Sequence, residues 1–380
     1  MISRAERSPL ANWWWTVDRW LLASVLMLMV LGLVLTMAGS PPVAERLGLS
    51  TFHFVHRQVL YLIPTLAVLL AASFLTPRQV RRSALIIYVV SMALIIAALL
   101  FGHEVKGARR WIFGIQPSEF LKPAFVILIS WAFAEGGTRR DVPGNLIALM
   151  LLPLTIIPLM LQPDFGQTLL VSLVWAALFF MAGLHWFWVV GIGGAGISGG
   201  LLAYKFVPHV RARVLKFLDP GTGGGIVDTF QVDTALDSFL SGGWFGKGPG
   251  EGTVKRILPD AHTDFIFAVT GEEFGIAACL FIVSIFAFIV LRGLLSSSSN
   301  EDPFCRFAAA GLTMLFGIQS AINMAVNLHL MPAKGMTLPF ISYGGSSLIS
   351  LALAIGFLIA VLRKRPRSAV LLEQDGKVLA

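Results

Sequence analysis

Residues 257–292 read "ILPDAHTDFIFAVTGEEFGIAACLFIVSIFAFIVLR". No charged residue stands between Glu273 and Arg292. This second half is therefore an apolar run as long as a bilayer-crossing helix, which takes about 20 residues. The first half gathers Asp260, His262, Asp264, Glu272 and Glu273. The distance from Asp264 to Arg292 exceeds what one span needs, so the first two turns are expected at the interface before the helix descends. Carboxylates beside hydrocarbon cost a few kcal/mol or more unless paired or wet, so the stretch predicts a membrane helix with a chemically active outer end.

The rest of the chain agrees. Its 380 residues have a mean hydropathy of +0.78, with 56% hydrophobic and 13% charged residues. A water-soluble domain of that composition would expose very large apolar patches. Ten runs are long enough to span, at 20–38, 57–76, 84–102, 118–135, 145–161, 167–184, 185–204, 272–292, 305–328 and 338–362. The fold class expected is an all-α integral membrane protein with one polytopic domain over 20–362, a cytoplasmic segment at 1–19 and a cytoplasmic tail at 363–380. The first run lacks a small-residue cleavage site and reads as a retained helix, with Trp13 to Trp15 and Trp20 at headgroup level. With both termini inside, the inner segments carry 15 of the 29 Lys and Arg residues and the short outer loops 6. The positive-inside rule thus places both termini in the cytoplasm. The net charge of +8 then reads as topology and attraction to anionic lipid, not nucleic-acid binding. Cys279 and Cys305 offer neither a disulfide framework nor a thiolate metal site.

No internal repeat is visible, which weighs against transporter folds built from duplicated halves. The inner link "SSSSNEDP" and the tail carry no chemistry. On the outer side, the loop over 205–263, between the seventh and eighth runs, is too long for a connection. Val232, Ala235, Leu236, Phe239 and Leu240 recur at helical spacing opposite Asp233, Thr234, Asp237 and Ser238, predicting a short amphipathic helix. A second, basic one is predicted at 207–218, stopped by Asp219-Pro220. "GTGGG" and "SGGWFGKGPGEG" are glycine-rich turns. The loop reads as a structured cap on the outer leaflet.

Four places carry ionisable groups at membrane depth. Glu119 and Lys122 stand three apart on one helix face, suited to an ion pair that either fixes packing or serves a site. Arg109 and Arg110 just outside that span are a solvated helix end or a fork for phosphate. Asp164 in "LQPDFGQT" is an N-cap with Gln167 completing a capping box, or a carboxylate facing a cavity. Lys334 precedes the Gly344-Gly345 turn, Ser342, Ser346 and Ser347, where backbone N–H groups suit an anion or merely a turn and cap. Lys255 and Arg256 lead into the opening stretch. There Asp264 is either a helix cap or a half-desolvated base. Glu272 and Glu273 read as structural, and His262 without a second ligand makes a zinc site unlikely on spacing.

"GARRWI", "QPSEFLK", "QPDFG", "SGGWFGKGPGEG", "LPDAHTDFIFAVTGEEFG" and "LPFISYGGSS" occur in this order over nearly the whole length. Together they resemble the SEDS family of polytopic peptidoglycan glycosyltransferases, and its division branch more than its elongation branch. Residues 219–243 depart from the family pattern, which often has a Gly-Tyr-Gln stretch and a Gly-Ser-Gly-Gly turn. The resemblance implies polymerisation of lipid II, an undecaprenyl-pyrophosphate-linked disaccharide, at the outer face of the bacterial cytoplasmic membrane, at the division septum. It implies that Asp264 is essential and, as general base, would take the proton of the attacking sugar hydroxyl with inversion at the anomeric carbon. Arg109, Arg110, Lys122, Lys255, Arg256 and Lys334 are candidates for the leaving diphosphate, with Glu119, Asp164, Ser342 and Ser346 lining the site. A magnesium or manganese ion held by Glu119, Asp164 and Asp264 is an alternative source of positive charge, and no organic cofactor is expected. The expected partners are a class B penicillin-binding protein and other divisome membrane proteins. A lipid II flippase or a non-catalytic divisome scaffold would use the same buried charges or the loops instead.

Overall fold

A computed structural model describes residues 8–105, 108–139, 141–183, 186–206, 211, 226–332 and 335–363. The chain runs α1 (Pro9–Thr16), α2 (Arg19–Gly39), α3 (Pro41–Arg46), α4 (His53–Phe74), α5 (Pro77–Phe101), β1 (His103–Val105), β2 (Ala108–Trp111), α6 (Pro117–Thr138), α7 (Gly144–Leu161), α8 (Phe165–Met181), α9 (Trp186–Phe206), α10 (Ile226–Gly242), α11 (Ile266–Ser298), α12 (Pro303–Asn327) and α13 (Gly345–Leu362). Among the described residues, eight helices are long and apolar enough to cross a membrane: α2, α4, α5, α6, α7, α11, α12 and α13. The apolar helix α8, with 17 residues, and α9 fall on the sixth and seventh predicted runs. The antiparallel β1–β2 hairpin was not expected from the sequence.

Helix starts follow local chemistry. Asp18 caps α2 by accepting from the N–H groups of Trp20 and Leu21, both at 3.1 Å. Thr76 and Gln79 form a reciprocal capping box ahead of α5, with Pro77 in its first turn. Asp302 caps α12 by accepting from Cys305 N–H at 3.2 Å, with Pro303 in the first turn. Helices α6 and α13 form the centre: 72% and 78% of their apolar stretches are buried, against 28% for α4. A side chain at Gly356 would collide with Ala72 Cβ at 2.5 Å, so its absence lets α13 and α4 close up, as small residues do between membrane helices.

One ion pair and two hydrogen bonds tie one end of the bundle. Arg292 Nε donates to both carboxylate oxygens of Asp18 at 2.8 Å. Arg363 Nε donates to Thr16 Oγ1 at 3.0 Å, and Trp13 Nε1 to Ser73 Oγ at 2.9 Å. The start of α2 and the ends of α4, α11 and α13 therefore share one end, which the charge count assigns to the cytoplasm. The acid-rich start of α11 lies at the other.

Helix α11 is broken where its first turns give way to the span. Gly275 has φ 80° and ψ 178°, a region open essentially to glycine alone. Hydrocarbon tolerates no bare backbone, and the 242–252 turn supplies partners. Lys247 and Gly248 N–H donate to the carbonyls of Glu272 and Glu273, at 2.9 and 3.0 Å. Ile276 and Ala277 N–H donate to Gly243 and Trp244, at 2.9 and 3.2 Å. The Glu272 carboxylate, fully buried, accepts from the N–H groups of Thr253, Val254 and Lys255 at 2.6, 2.7 and 2.8 Å. Glu273 pairs with buried Lys255. The glycine-rich turn is thus spliced into the helix.

The amphipathic helix predicted around 232–240 exists as part of α10, and its buried side is the predicted one only in part. Ala235 is buried and Phe239 packs on the core, its ring seated against Gly271, where a Cβ would stand 2.3 Å from it. Thr234 and Ser238, expected on the opposite side, are buried as well, and Leu240 is 81% exposed. The basic helix expected at 207–218 and the tail beyond residue 363 lie outside the described residues.

A methyl group at Gly275 would meet Trp244 O at 2.3 Å and Gly246 N at 2.5 Å. Gly275→Ala is therefore expected to cost at least about 1–3 kcal/mol of backbone strain, read as a lower thermal unfolding midpoint in detergent. An unchanged midpoint would contradict the spliced break.

Candidate active site

Asp264 lies in the turn at 259–265 that leads into α11. The N-cap is Phe265, without a side-chain cap bond, so the Asp264 carboxylate does not serve as the helix cap. It is half-buried. The "LPFISYGGSS" loop runs beside the turn: Tyr343 N–H donates to His262 O at 3.0 Å and Ser342 Oγ to Thr263 O at 2.6 Å. Ser342 also accepts from Leu338 N–H at 2.8 Å, which makes it a splint between the two segments. Gly335, with φ +60°, approaches the carboxylate so closely that a Cβ there would stand 3.6 Å from Asp264 Oδ2. His262 is buried among rings, 4.3 Å from Phe54 and 5.4 Å from Tyr343 between centroids.

A polar rim continues from this loop. The Tyr343 ring stands beside Tyr61, 6.2 Å between centroids; burial, then Tyr61, pushes the pKa of its hydroxyl up, and the nearby Arg57 opposes them. On the other side, Gln116 N–H donates to Ser346 Oγ at 3.2 Å, and its Nε2 to Asp164 Oδ2 at 3.4 Å. Arg110 Nε donates to Gln162 O at 3.1 Å, Nη2 donates to Pro163 O, and Nε stands 3.9 Å from Asp164. Gln162 Nε2 returns a bond to Arg109 O at 3.0 Å, lacing β2 onto the "QPD" turn. Burial pushes the Asp164 carboxyl above its ordinary value; the nearby Arg110 guanidinium opposes this.

Beneath the rim, Lys122 Nζ donates to Glu119 Oε2 at 2.9 Å and to Gln319 Oε1 at 3.1 Å. Gln167 Nε2 donates to Glu119 Oε1 at 2.7 Å. Asp164 does cap α8 through Gln167 N–H at 3.4 Å, but the expected capping box is only half formed. The Gln167 side chain turns instead to Glu119, where a buried carboxylate offers the stronger, charge-assisted bond.

Sequence and structure comparisons fit this arrangement. The cell cycle protein family FtsW/RodA/SpoVE matches residues 19–367. The chain belongs to the FtsW/RodA/SpoVE family. It is 46% identical to the probable peptidoglycan glycosyltransferase FtsW of Caulobacter vibrioides, over 96% of this chain and 94% of that one. It is 34% identical to the protein of the same name from Geobacter sulfurreducens, over 91% and 95%. Among solved structures, it is similar to a chain of a peptidoglycan synthase complex described as coordinating polymerization and crosslinking, with TM-score 0.78, 26% identity and coverage of 93% and 99%. Thermus thermophilus rod shape determining protein RodA matches with TM-score 0.66, 26% identity and coverage of 93% and 99%.

Within this FtsW/RodA/SpoVE chain, the predicted site residues fall into separate groups. Ser342 braces the turn that carries Asp264 through Thr263 O, and Ser346 faces Gln116; Arg110 and Asp164 meet at the rim; Glu119 and Lys122 lie below. Arg109 is exposed, 3.9 Å from Glu104, and Arg256 is exposed. The Lys255 ammonium is buried on Glu273 and Ala38 O, which leaves it a structural role. Lys334 lies outside the described residues. No three His, Cys, Asp or Glu side chains among the described residues converge as metal ligands. Glu119, proposed as one, has its oxygens engaged by Lys122 and Gln167, so this carboxylate set does not fit a metal centre. Sequence reading missed Arg57, whose place at the rim depends on Tyr343, distant in the chain. It also missed Gln116, whose amide donates to Asp164, and Gln319, whose amide oxygen accepts from Lys122.

Removing one partner of a buried ion pair leaves the other charge bare. Lys122→Met is expected to destabilise by about 3–5 kcal/mol, and adding Glu119→Gln should recover part of the loss in a thermal melt. Asp164 has a raised folded-state pKa, so its protonated form adds stability below the ordinary carboxylate value of 3.8 that is lost as pH rises through the raised value. Asp164→Asn should flatten the melting midpoint across that window, while an unchanged slope would assign it to another group.

Proposed function

We propose that this peptidoglycan glycosyltransferase polymerises lipid II at the outer face of the cytoplasmic membrane, at the division septum, with Asp264 as general base. The observation that carries the reading is the Asp264 carboxylate: half-buried at a membrane-helix start, not used as its cap, and beside a loop that leads to an arginine-bearing rim.

The acceptor's 4-hydroxyl oxygen attacks the anomeric carbon of the donor sugar. The new glycosidic C–O bond forms as the bond from that carbon to the diphosphate oxygen breaks, with inversion, and the hydroxyl proton passes to Asp264. The lipid diphosphate departs as an anion. It needs charge stabilisation rather than a proton, and Arg57, Arg109 and Arg110, with Arg256 and Lys334 from the adjoining loops, are the groups proposed to supply it. Lys122 acts from below by fixing Glu119. A class B penicillin-binding protein is the proposed partner, supported by the likeness to a chain from a complex that couples polymerization with crosslinking.

Purified protein in detergent, with and without such a partner, would be given labelled lipid II and a chelator control. Polymer should form without a second compartment, which a flippase or scaffold would not yield. Asp264→Asn should lower the rate by about 10²–10⁴-fold with the unfolding midpoint retained. Polymer at the wild-type rate from that variant would remove Asp264 as the base.

A further inference from the structure

Helix α12 presents a stripe of three carboxamides at one-turn intervals, Gln319, Asn323 and Asn327, with relative exposures of 1%, 2% and 0%. Burying such groups in a membrane helix is costly unless they are bonded, and their bonds converge on two segments. Asn323 Nδ2 donates to Asp264 O at 2.9 Å and to Met336 O at 2.6 Å. Asn327 Nδ2 donates to the same Asp264 carbonyl at 2.9 Å, while its Oδ1 accepts from Ala268 N–H at 3.1 Å. Gln319 Nε2 donates to Thr337 O at 3.1 Å, and its Oε1 accepts from Lys122 at 3.1 Å. The Asp264 carbonyl thus accepts two amide donors, and the residues flanking it in space, 336 and 337, hang from the same stripe.

We propose that Gln319, Asn323 and Asn327 are positioning residues for the polymerase reaction: they fix the backbone of Asp264 and the 335–337 segment against its carboxylate, and join both to the Glu119–Lys122 pair. The inference rests on the reading of Asp264 as base. None of the three amides is assigned a contact with substrate; they act through the carboxylate. In an apolar span, a carbonyl that precedes the helix would otherwise need water or a substitute donor. Two side-chain amides from a rigid helix remove that freedom, so the base is held in register with the arginine rim.

The test uses full-length protein in detergent with labelled lipid II, comparing Asn323→Leu, Asn327→Leu and the isosteric Asn323→Asp and Asn327→Asp, which cannot donate when ionised. A misplaced base should lower kcat by about a hundredfold while KM, set by the cationic rim, changes little. Hydrogen–deuterium exchange should quicken in the peptides covering 264–268 and 335–337. If a Leu variant does not fold, the Asp variant of the same shape decides by the same readings. Wild-type kcat in folded variants would overturn the proposal, as would KM rising in step with a falling kcat. Asp264→Asn, run in parallel, separates the two ideas. Its retained activity would reject the base, whereas an inactive Asp264→Asn beside fully active Asn variants would reject the stripe alone.

Discussion

Backbone and carboxylate groups at hydrocarbon depth must find partners within the protein, and the break in α11 is where this constraint shapes the molecule. Gly275 frees carbonyls and N–H groups on either side of the bend, and the turn at 243–248 takes them up. Glu272 then gathers the N–H groups of 253–255 onto one carboxylate. With the outer loop bolted to the helix in this way, the chain can return through 259–265 and deliver Asp264 at the start of a span without using it as a cap. The acids that looked like a surplus in the sequence therefore divide into two kinds: Glu272 and Glu273 hold the scaffold, and Asp264, half-buried in the turn before the span, is the proposed base.

The outer end then works as a set of linked levels. The deepest is the Glu119–Lys122 pair, kept in hydrocarbon by its own bond and by Gln167 and Gln319. Above it, Asp164, Gln116 and Arg110 join the "QPD" turn to the β1–β2 hairpin. At the top, Arg57 and Tyr343 bring in α4. In the proposed reaction a lipid-borne diphosphate meets the cations of this rim, with Asp264, the proposed base, in the turn beside the 335–343 loop. That geometry suits a reaction between two substrates that never leave the membrane surface.

Much of this was legible in the sequence because hydrophobic length is a strong signal: among the described residues, eight of the ten predicted runs coincide with helices long and apolar enough to cross a membrane, although the last begins at Gly345 and leaves 338–344 as a loop, and the Glu119–Lys122 spacing predicted their contact. Asp264 stood out as an acid at a membrane boundary. What could not be read was partnership across the chain. Arg57 belongs to the rim only because Tyr343 folds back on it, and Lys255, which looks free for a phosphate, is consumed by Glu273. The α10 face was legible in part. Periodicity marked Ala235 and Phe239, which do pack inward, but not Thr234 and Ser238, which are buried beside them. The stripe on α12 did carry a signal, amides at one-turn spacing within an apolar span, but its meaning required knowing which carbonyl lay opposite.

A base that works on lipid-linked sugars at the outer face must be reachable from outside the membrane and shielded when that substrate binds. Asp264→Cys in intact spheroplasts, with buried Cys279 and Cys305 as silent background, can be treated with a membrane-impermeant maleimide. Labelling without permeabilisation, slowed by added lipid II, is the result predicted. Labelling only after the membrane is opened, or at a rate indifferent to lipid II, would contradict it.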